Sequence, residues 1–433
     1  MIYYRAMSVG RKLNALETPI KLYAHEGVLF SLATLMTNNN NNLFAMRLGA
    51  SDYELGMLSL VCQLVNMCVL FPGALFIDAL KNKRVMVIGS VASTAAIYIV
   101  IGFVSAFGNA LWAFIILLAA SSGAVMLYNL SWQSFFPEVI HIRNRNTTLT
   151  LRTYGATLCG ILIPLVTGTL LTSMRTTESK ISAHQAFFLC AAALLALQIT
   201  VIVRLKSSAA VEPKRINIGA LKSALSSLAR SKQFLLYAGI ALFFYMAWQV
   251  DWTLYFISQT QYIHLNEAQL SLVNILGTLA QLCTLRYWSK MNERRGVVFT
   301  MMFGIISLCL NPPAVIVSTL CPAPYNQLVF FVMHTIANLG FVIVNLNLLQ
   351  CTLQVLDDKN RTLGLSLFTI FTSASNAIMP LTGVMIYKSL GGDVAALRWS
   401  FAIVLAMRLA ALGVWALRRR IVIKYKWGES ATL

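Results

Sequence analysis

Asp251 is the one acidic side chain deep within a long apolar stretch, Phe234–Phe256, and His334 lies in another, Leu328–Leu353. A carboxylate in hydrocarbon is costly unless it is paired, hydrated or protonated. A histidine beside such a group titrates near neutral pH. If both stretches are helices crossing a bilayer in opposite directions, each residue sits about 9 Å to the outer side of its midpoint, at about 1.5 Å per residue. The depth match predicts a proton-sensitive pair facing one aqueous cavity, with Asp251 as the coupling site. The competing reading leaves Asp251 hydrated near the outer surface and His334 against backbone carbonyls.

Amides and aromatics recur at similar depth in other apolar stretches. Trp248, Gln249 and Trp252 flank Asp251, Asn129, Trp132 and Gln133 end one stretch, and Asn338 and Asn345 punctuate another. Asn38 to Asn42 are five asparagines in a row. Successive helical residues step by about 100°, so such a run faces every direction. Asn38 and Asn42 share a face and are candidates for a cavity wall. Two readings of the run stand: a helix partly unwound at a binding site, or hydrogen bonding between neighbouring helices. Together these side chains describe a cavity rich in amides and aromatics and short of charge, suited to a neutral polar or amphipathic solute.

Other chemistries are not supported. The eight cysteines include no C-x-x-C pair and the five histidines no H-E-x-x-H spacing, so neither a metal site nor a disulfide frame is expected. No cofactor motif and no paired catalytic constellation stands out, so no enzyme is expected. Arg408, in the middle of an apolar stretch, reads as a structural pair or a locally hydrated arginine.

These side chains need long helices to position them. Of 433 residues, 58% are hydrophobic and 11% charged, against about a quarter charged in soluble domains. Mean hydropathy is +0.70. About 20 mostly apolar residues cross a bilayer as a helix, and twelve stretches qualify. The first six are Gly27–Met46, Leu55–Ile77, Val85–Phe107, Leu111–Phe135, Leu149–Leu171 and Ala186–Val203. The second six are Phe234–Phe256, Leu270–Leu285, Val297–Leu320, Leu328–Leu353, Leu363–Tyr387 and Leu397–Leu417. Asn311-Pro312-Pro313 should break or kink the ninth. Net charge is +19, yet the basic residues flank apolar stretches instead of forming long runs, which favours a membrane over nucleic acid. With twelve spans, 28 of the 34 Lys and Arg fall on the side of both termini and five on the other. Both termini are therefore expected in the cytoplasm. The fold expected is an all-α membrane protein of two six-helix bundles, residues 1–204 and 234–433. The linker, 205–233, carries Ile218, Leu221, Leu225 and Leu228 at helical spacing, read either as an amphipathic helix on the inner leaflet or as a solvated connection.

The halves repeat. Gln133, Arg145, Leu149-Thr150-Leu151 and Pro164 are matched by Gln350, Arg361, Leu365-Ser366-Leu367 and Pro380 at a near-constant offset. Such an offset implies duplication, and parallel halves are related by an axis along the membrane normal. After the second stretch, Asp78 precedes Lys81-Asn82-Lys83-Arg84. This resembles the G-x-x-x-D-R-x-G-R-[RK] loop of the major facilitator superfamily, with Ala79 replacing the first arginine, Gly73 one place early and the second glycine missing. Leu48-Gly49-Ala50-Ser51, Trp132 to Arg152, and Asn360-Arg361-Thr362 resemble a bacterial branch of undefined substrate. The resemblance implies a secondary transporter working by alternating access in the cytoplasmic membrane, with a small-molecule solute, a lipid bilayer and protons as candidate partners. It implies a cavity lined mainly by the first, fourth, seventh and tenth spans. Asp78, Arg145 and Arg361 would form a cytoplasmic gate. The charged helix-four arginine and the helix-five Gly-Pro pair of proton-linked drug antiporters are absent, which weakens that reading. A monomer is expected. A non-transporting receptor or scaffold on the same frame is the alternative, disfavoured by the lack of a sizeable soluble domain.

Overall fold

A computed structural model of the protein describes residues 18–205, 226, 230–356 and 361–425. Among these residues the regular elements are helices, and no strand occurs. In chain order they are α1 (Thr18–Asn38), α2 (Asn41–Arg47), α3 (Asp52–Ala79), α4 (Lys83–Ile101), α5 (Ala110–Val139), α6 (Ile142–Ser173) and α7 (Thr177–Arg204). There follow α8 (Lys232–Gln249), α9 (Trp252–Ile257), α10 (Glu267–Arg295), α11 (Val297–Cys309) and α12 (Asn311–Leu320). The last are α13 (Tyr325–Asn338), α14 (Phe341–Gln354), α15 (Arg361–Ser389) and α16 (Val394–Tyr425).

Polar side chains start these helices where the sequence leaves an apolar stretch. Asn82, Asn109, Thr176 and Ser231 each accept a backbone N–H of the first turn that follows. Asn266 and Gln269 form a reciprocal capping box at the head of α10. Such caps satisfy amide groups that have no partner inside the helix. Eleven candidate spans, some continuous through short breaks, are long and apolar enough to cross a membrane among the described residues. The first stretch expected from hydropathy is not among them. Its helix ends at Asn38 and resumes at Asn41, so the asparagine run interrupts it. The break expected at Asn311-Pro312-Pro313 is present between α11 and α12.

Two compact units divide the chain. One comprises residues 1–49 and 68–216, the other residues 50–67 and 217–433. In the first unit α1 packs on α6 and α7, and α4 packs on α5 and α7. Small residues allow the α1–α6 approach: a methyl added at Gly155 would overlap Val28, and one at Gly27 would overlap the side chain of Arg152. In the second unit, α8, α11, α14 and α16 share a core that includes Phe234, Tyr237, Phe244, Met301, Val344 and Trp415. The opening half of α3 belongs to this unit: Asp52 pairs with Lys388 Nζ at 2.5 Å and accepts from Gln261 Nε2 at 2.8 Å.

Candidate solute cavity and two buried ion pairs

The second unit is organised around broken helices. A helical carbonyl accepts from the N–H four residues on. α8 ends at Gln249 and α9 begins at Trp252, which releases the carbonyls of Ala247 and Trp248. The carbonyl of Leu308 would need the N–H of residue 312, which is proline and has none. Arg408 from α16 donates to all three: Nε to Ala247 O at 3.1 Å, Nη2 to Trp248 O at 3.1 Å, and Nη1 to Leu308 O at 2.7 Å. Its Nη2 also reaches Asp251 Oδ1 at 2.7 Å and Oδ2 at 2.8 Å. Arg408 and Asp251 are each 3% exposed. One guanidinium thus neutralises a buried acid and supplies donors to the carbonyls freed by two helix breaks.

His334 has different partners. Its Nδ1 shares a hydrogen bond with Tyr255 Oη at 2.6 Å, and its Nε2 lies 3.0 Å from Asn338 Nδ2. Its ring stacks on Phe330. The Asp251–His334 pair expected from matched depth is not formed. Depth fixes only one coordinate, and the break before α9 presents Asp251 to a permanently charged arginine, a stronger partner than an imidazole. The α13–α14 break beside it is also patched from neighbouring helices: Leu339 O accepts from Thr284 Oγ1 at 2.6 Å and from Trp288 Nε1 at 2.7 Å.

A cavity of about 310 Å³ lies beside the α8–α9 break. Tyr245, Trp248, Trp252 and Phe368 give it aromatic walls. Trp248 meets Trp252 edge-on at 5.9 Å and Tyr245 at 5.7 Å. Its polar lining among the described residues is Gln249, Thr352, Thr369, Thr372 and Asn376, none of them charged. The Gln249 Oε1 and Asn376 Oδ1 atoms are buried and accept no hydrogen bond. Most buried amide oxygens have a partner. Two without one belong to residues that line one cavity.

The first unit buries its own acid. Glu26 on α1 is 1% exposed. Its Oε1 accepts from Tyr128 Oη on α5 and from Gln198 Nε2 on α7, the latter at 2.7 Å. Its Oε2 accepts no hydrogen bond and faces Arg152 Nη2 of α6 at 3.6 Å. Arg152 is held elsewhere too. It donates to Tyr128 Oη at 2.8 Å, and its guanidinium lies 3.7 Å above the centre of the Trp132 ring.

This frame of interrupted apolar helices with buried ion pairs has a match. The family model described as Major Facilitator Superfamily covers residues 26–357. The chain belongs to the major facilitator superfamily. Its fold is similar to that of a D-xylose-proton symporter, at 13% identity and a TM-score of 0.69 over 92% of this chain and 96% of that one. It is similar to the nucleoside transporter NupG, at 12% identity and a TM-score of 0.66 over 93% and 99% of the two chains. It also matches a bacterial homologue of the human lysosomal transporter Spinster in an inward-facing state, at 12% identity and a TM-score of 0.66 over 95% and 97%. At such identities the likeness is one of fold. No curated protein matches the sequence. The facilitator is a multi-pass membrane transporter, not an enzyme.

The remaining expected residues of this facilitator divide as follows. Trp248, Gln249 and Trp252 line the cavity. Asn338 does not; its Oδ1 accepts from Gln281 Nε2 at 3.2 Å and its Nδ2 binds the His334 carbonyl at 2.9 Å. Asn38 is exposed at the end of α1 and Asn42 is half-buried in α2. Asn40 and Asn41 bond locally, to Met36 O and to Asn38 Oδ1. Asn129 and Gln133 are exposed one turn apart on α5, whereas Trp132 turns toward Arg152. Arg145 donates to the carbonyls of Ile140 and Pro137 at 3.2 Å each, capping the end of α5. The side chains of Asp78, Asn345 and Arg361, and the linker positions from Ile218 to Leu225 and Leu228, lie outside the described residues.

Sequence reasoning missed Glu26, Tyr128, Gln198 and the inward reach of Arg152. Glu26 lies one residue before the first apolar stretch, Gly27–Met46, and Arg152 in the opening turn of the fifth, Leu149–Leu171, where polar residues read as helix flanks. A signal existed: Tyr23, Glu26, Gly27 and Phe30 follow the i, i+3, i+4, i+7 spacing of one helix face.

Proposed function

We propose that the protein is a secondary transporter for an uncharged solute that pairs a flat ring face with hydrogen-bond donors. The observation that carries this is the cavity of the second unit, uncharged among the described residues, where aromatic walls meet Gln249 and Asn376 with their unpartnered amide oxygens. Aromatic faces stack on rings, and a few placed polar atoms fix orientation. A carboxylate or phosphate solute would find no cation in that lining, and an ammonium no anion.

Transport proceeds by alternating access, as in the family. In this reading the interrupted pair α1–α2 is the first of twelve spans, both termini face the cytoplasm, and the protein lies in the cytoplasmic membrane as a monomer. Asp78, Arg145 and Arg361 act as the cytoplasmic gate; the grip of Arg145 on the end of α5 supports its part in it. Asp251 serves as the anchor of the α8–α9 break, and a coupling role for it loses its basis once Arg408 holds both carboxylate oxygens.

The test is uptake into proteoliposomes of a labelled panel containing uridine, an aromatic amide, xylose and a dicarboxylate. Accumulation of the ring-bearing neutral solutes, lost in Gln249→Leu and Asn376→Leu, is expected. Transport of the dicarboxylate alone, or uptake indifferent to both substitutions, contradicts the reading.

A further inference from the structure

We propose that Glu26 is the proton-binding site of this transporter, with Arg152 as the cation that competes with the proton for it. The use of the proton in transport rests on the function proposed above; the proton site itself does not.

The buried acids Asp251 and Glu26 are satisfied in different ways. Both oxygens of Asp251 receive direct charge-assisted hydrogen bonds, and its arginine is fixed by three carbonyls besides. A proton arriving there would have to displace an arginine that has no other place to go. Glu26 differs on both counts. Its Oε1 is filled by Tyr128 and Gln198, while its Oε2 has only Arg152, beyond hydrogen-bonding distance at 3.6 Å. Arg152 already has a second seat on the Trp132 face, and its side chain is 17% exposed against 1% for Glu26. It is therefore the more exposed member of the pair, held by Tyr128 and by the Trp132 ring.

The step is a simple one. A proton from water binds Oε2 of Glu26, forming one O–H bond, and no other covalent bond changes. The cluster goes from neutral to one positive charge, carried by Arg152, whose attraction to Glu26 is lost while its contact with Trp132 remains. Tyr128 and Gln198 still donate to Oε1, so the protonated acid keeps its place.

The charged and titratable groups facing Glu26 are few. Tyr23 lies on the same helix, with its buried Oη unpartnered. Tyr128 comes from α5 and Arg152 from α6, whereas α7 contributes only the neutral amide of Gln198. Glu138, on α5, is bound to Lys83 at 2.8 Å. Among the described residues, no second carboxylate hydrogen-bonds or ion-pairs with Glu26, Tyr128 or Arg152. Gly27 completes the arrangement, because a side chain there would push Arg152 off the face of α1.

The experiment needs no solute. The full-length protein in phosphatidylcholine nanodiscs is acidified while infrared difference spectra and tryptophan emission are recorded. The expected result is a carboxylic-acid C=O band at the frequency of a group shielded from water, accompanied by a change in emission from Trp132. Growth with carboxyl-labelled ¹³C glutamate shifts this band, and labelled aspartate leaves it in place, which identifies the acid type without any substitution. Glu26→Gln removes band and emission change together, Glu26→Asp moves the band, and Asp251→Asn keeps both. The proposal is overturned if no shielded band forms, if labelled aspartate shifts it, or if it survives Glu26→Gln unchanged.

Discussion

In the second unit Arg408 is immobilised by three backbone carbonyls and both oxygens of Asp251. In the first, Arg152 is shared among a carboxylate oxygen at 3.6 Å, a tyrosine hydroxyl and an indole face. Each unit thus buries an acid against an arginine, but the surroundings give the pairs different work. Where helix breaks leave carbonyls open, the arginine is a structural peg that locks the break. Where the helices α1, α5 and α7 run unbroken past the acid, their carbonyls are already satisfied internally, and the arginine finds only movable side chains. The partner's alternatives, more than the presence of a buried pair, decide whether a charge can change hands.

Five substitutions would break or sharpen this contrast. The largest effect is expected from Arg408→Leu, which strands a buried carboxylate and three carbonyls and should cost about 3–5 kcal/mol. Thermal melting of the purified protein reads this. Arg408→Lys should recover little, because a single ammonium cannot reproduce the spread of a planar guanidinium. A loss below about 1 kcal/mol would place the pair among surface-like contacts and end the structural reading. Asp251→Asn comes next, at about 1.5–3 kcal/mol, the range of hydrogen bonds to a charged group, since Arg408 keeps its carbonyls. A cost matching that of Arg408→Leu would mean that the charge, more than the carbonyl contacts, holds the break.

Glu26→Gln should cost no more than about 1 kcal/mol, because the amide oxygen still accepts from Tyr128 and Gln198. Unfolding on the scale of Arg408→Leu would make the two pairs equivalent and erase the comparison. The smallest effect belongs to Gly27→Ala. Its methyl displaces the Arg152 side chain, forfeiting about 0.5–1 kcal/mol of cation–ring attraction and changing Trp132 emission with little loss of melting temperature. Emission identical to wild type would show that Arg152 does not need the gap at Gly27.

Much of the helical frame was legible in the sequence, because a bilayer demands long apolar runs and eleven of the expected stretches are there as candidate spans. The break at Pro312-Pro313 was legible too, since proline removes a donor wherever it stands. The breaks at Val250-Asp251 and Leu339-Gly340 were not. They are maintained by Arg408 and by Thr284 and Trp288, residues distant in sequence, so no local pattern announces them. Asp251 was conspicuous as an acid in hydrocarbon, but matched depth proposed His334 as its partner when Arg408 holds it. Glu26 stayed hidden for the opposite reason. Lys21 and His25 precede it, and a hydropathy window treats that polar neighbourhood as a helix flank. Trp248, Gln249 and Trp252 were recoverable because they surround the conspicuous acid; Asn376 and Phe368, on α15, carried no comparable cue.

The division of labour between the two acids is tested most directly by measuring one transported solute from the uptake panel in two ways. The first is exchange across proteoliposomes with no gradient, and the second is accumulation driven by an imposed pH gradient. Glu26→Gln is expected to preserve exchange and abolish pH-driven accumulation, while Asp251→Asn lowers both only in proportion to the folded protein that remains. Full pH-driven accumulation in Glu26→Gln, or its selective loss in Asp251→Asn, would contradict this division of labour.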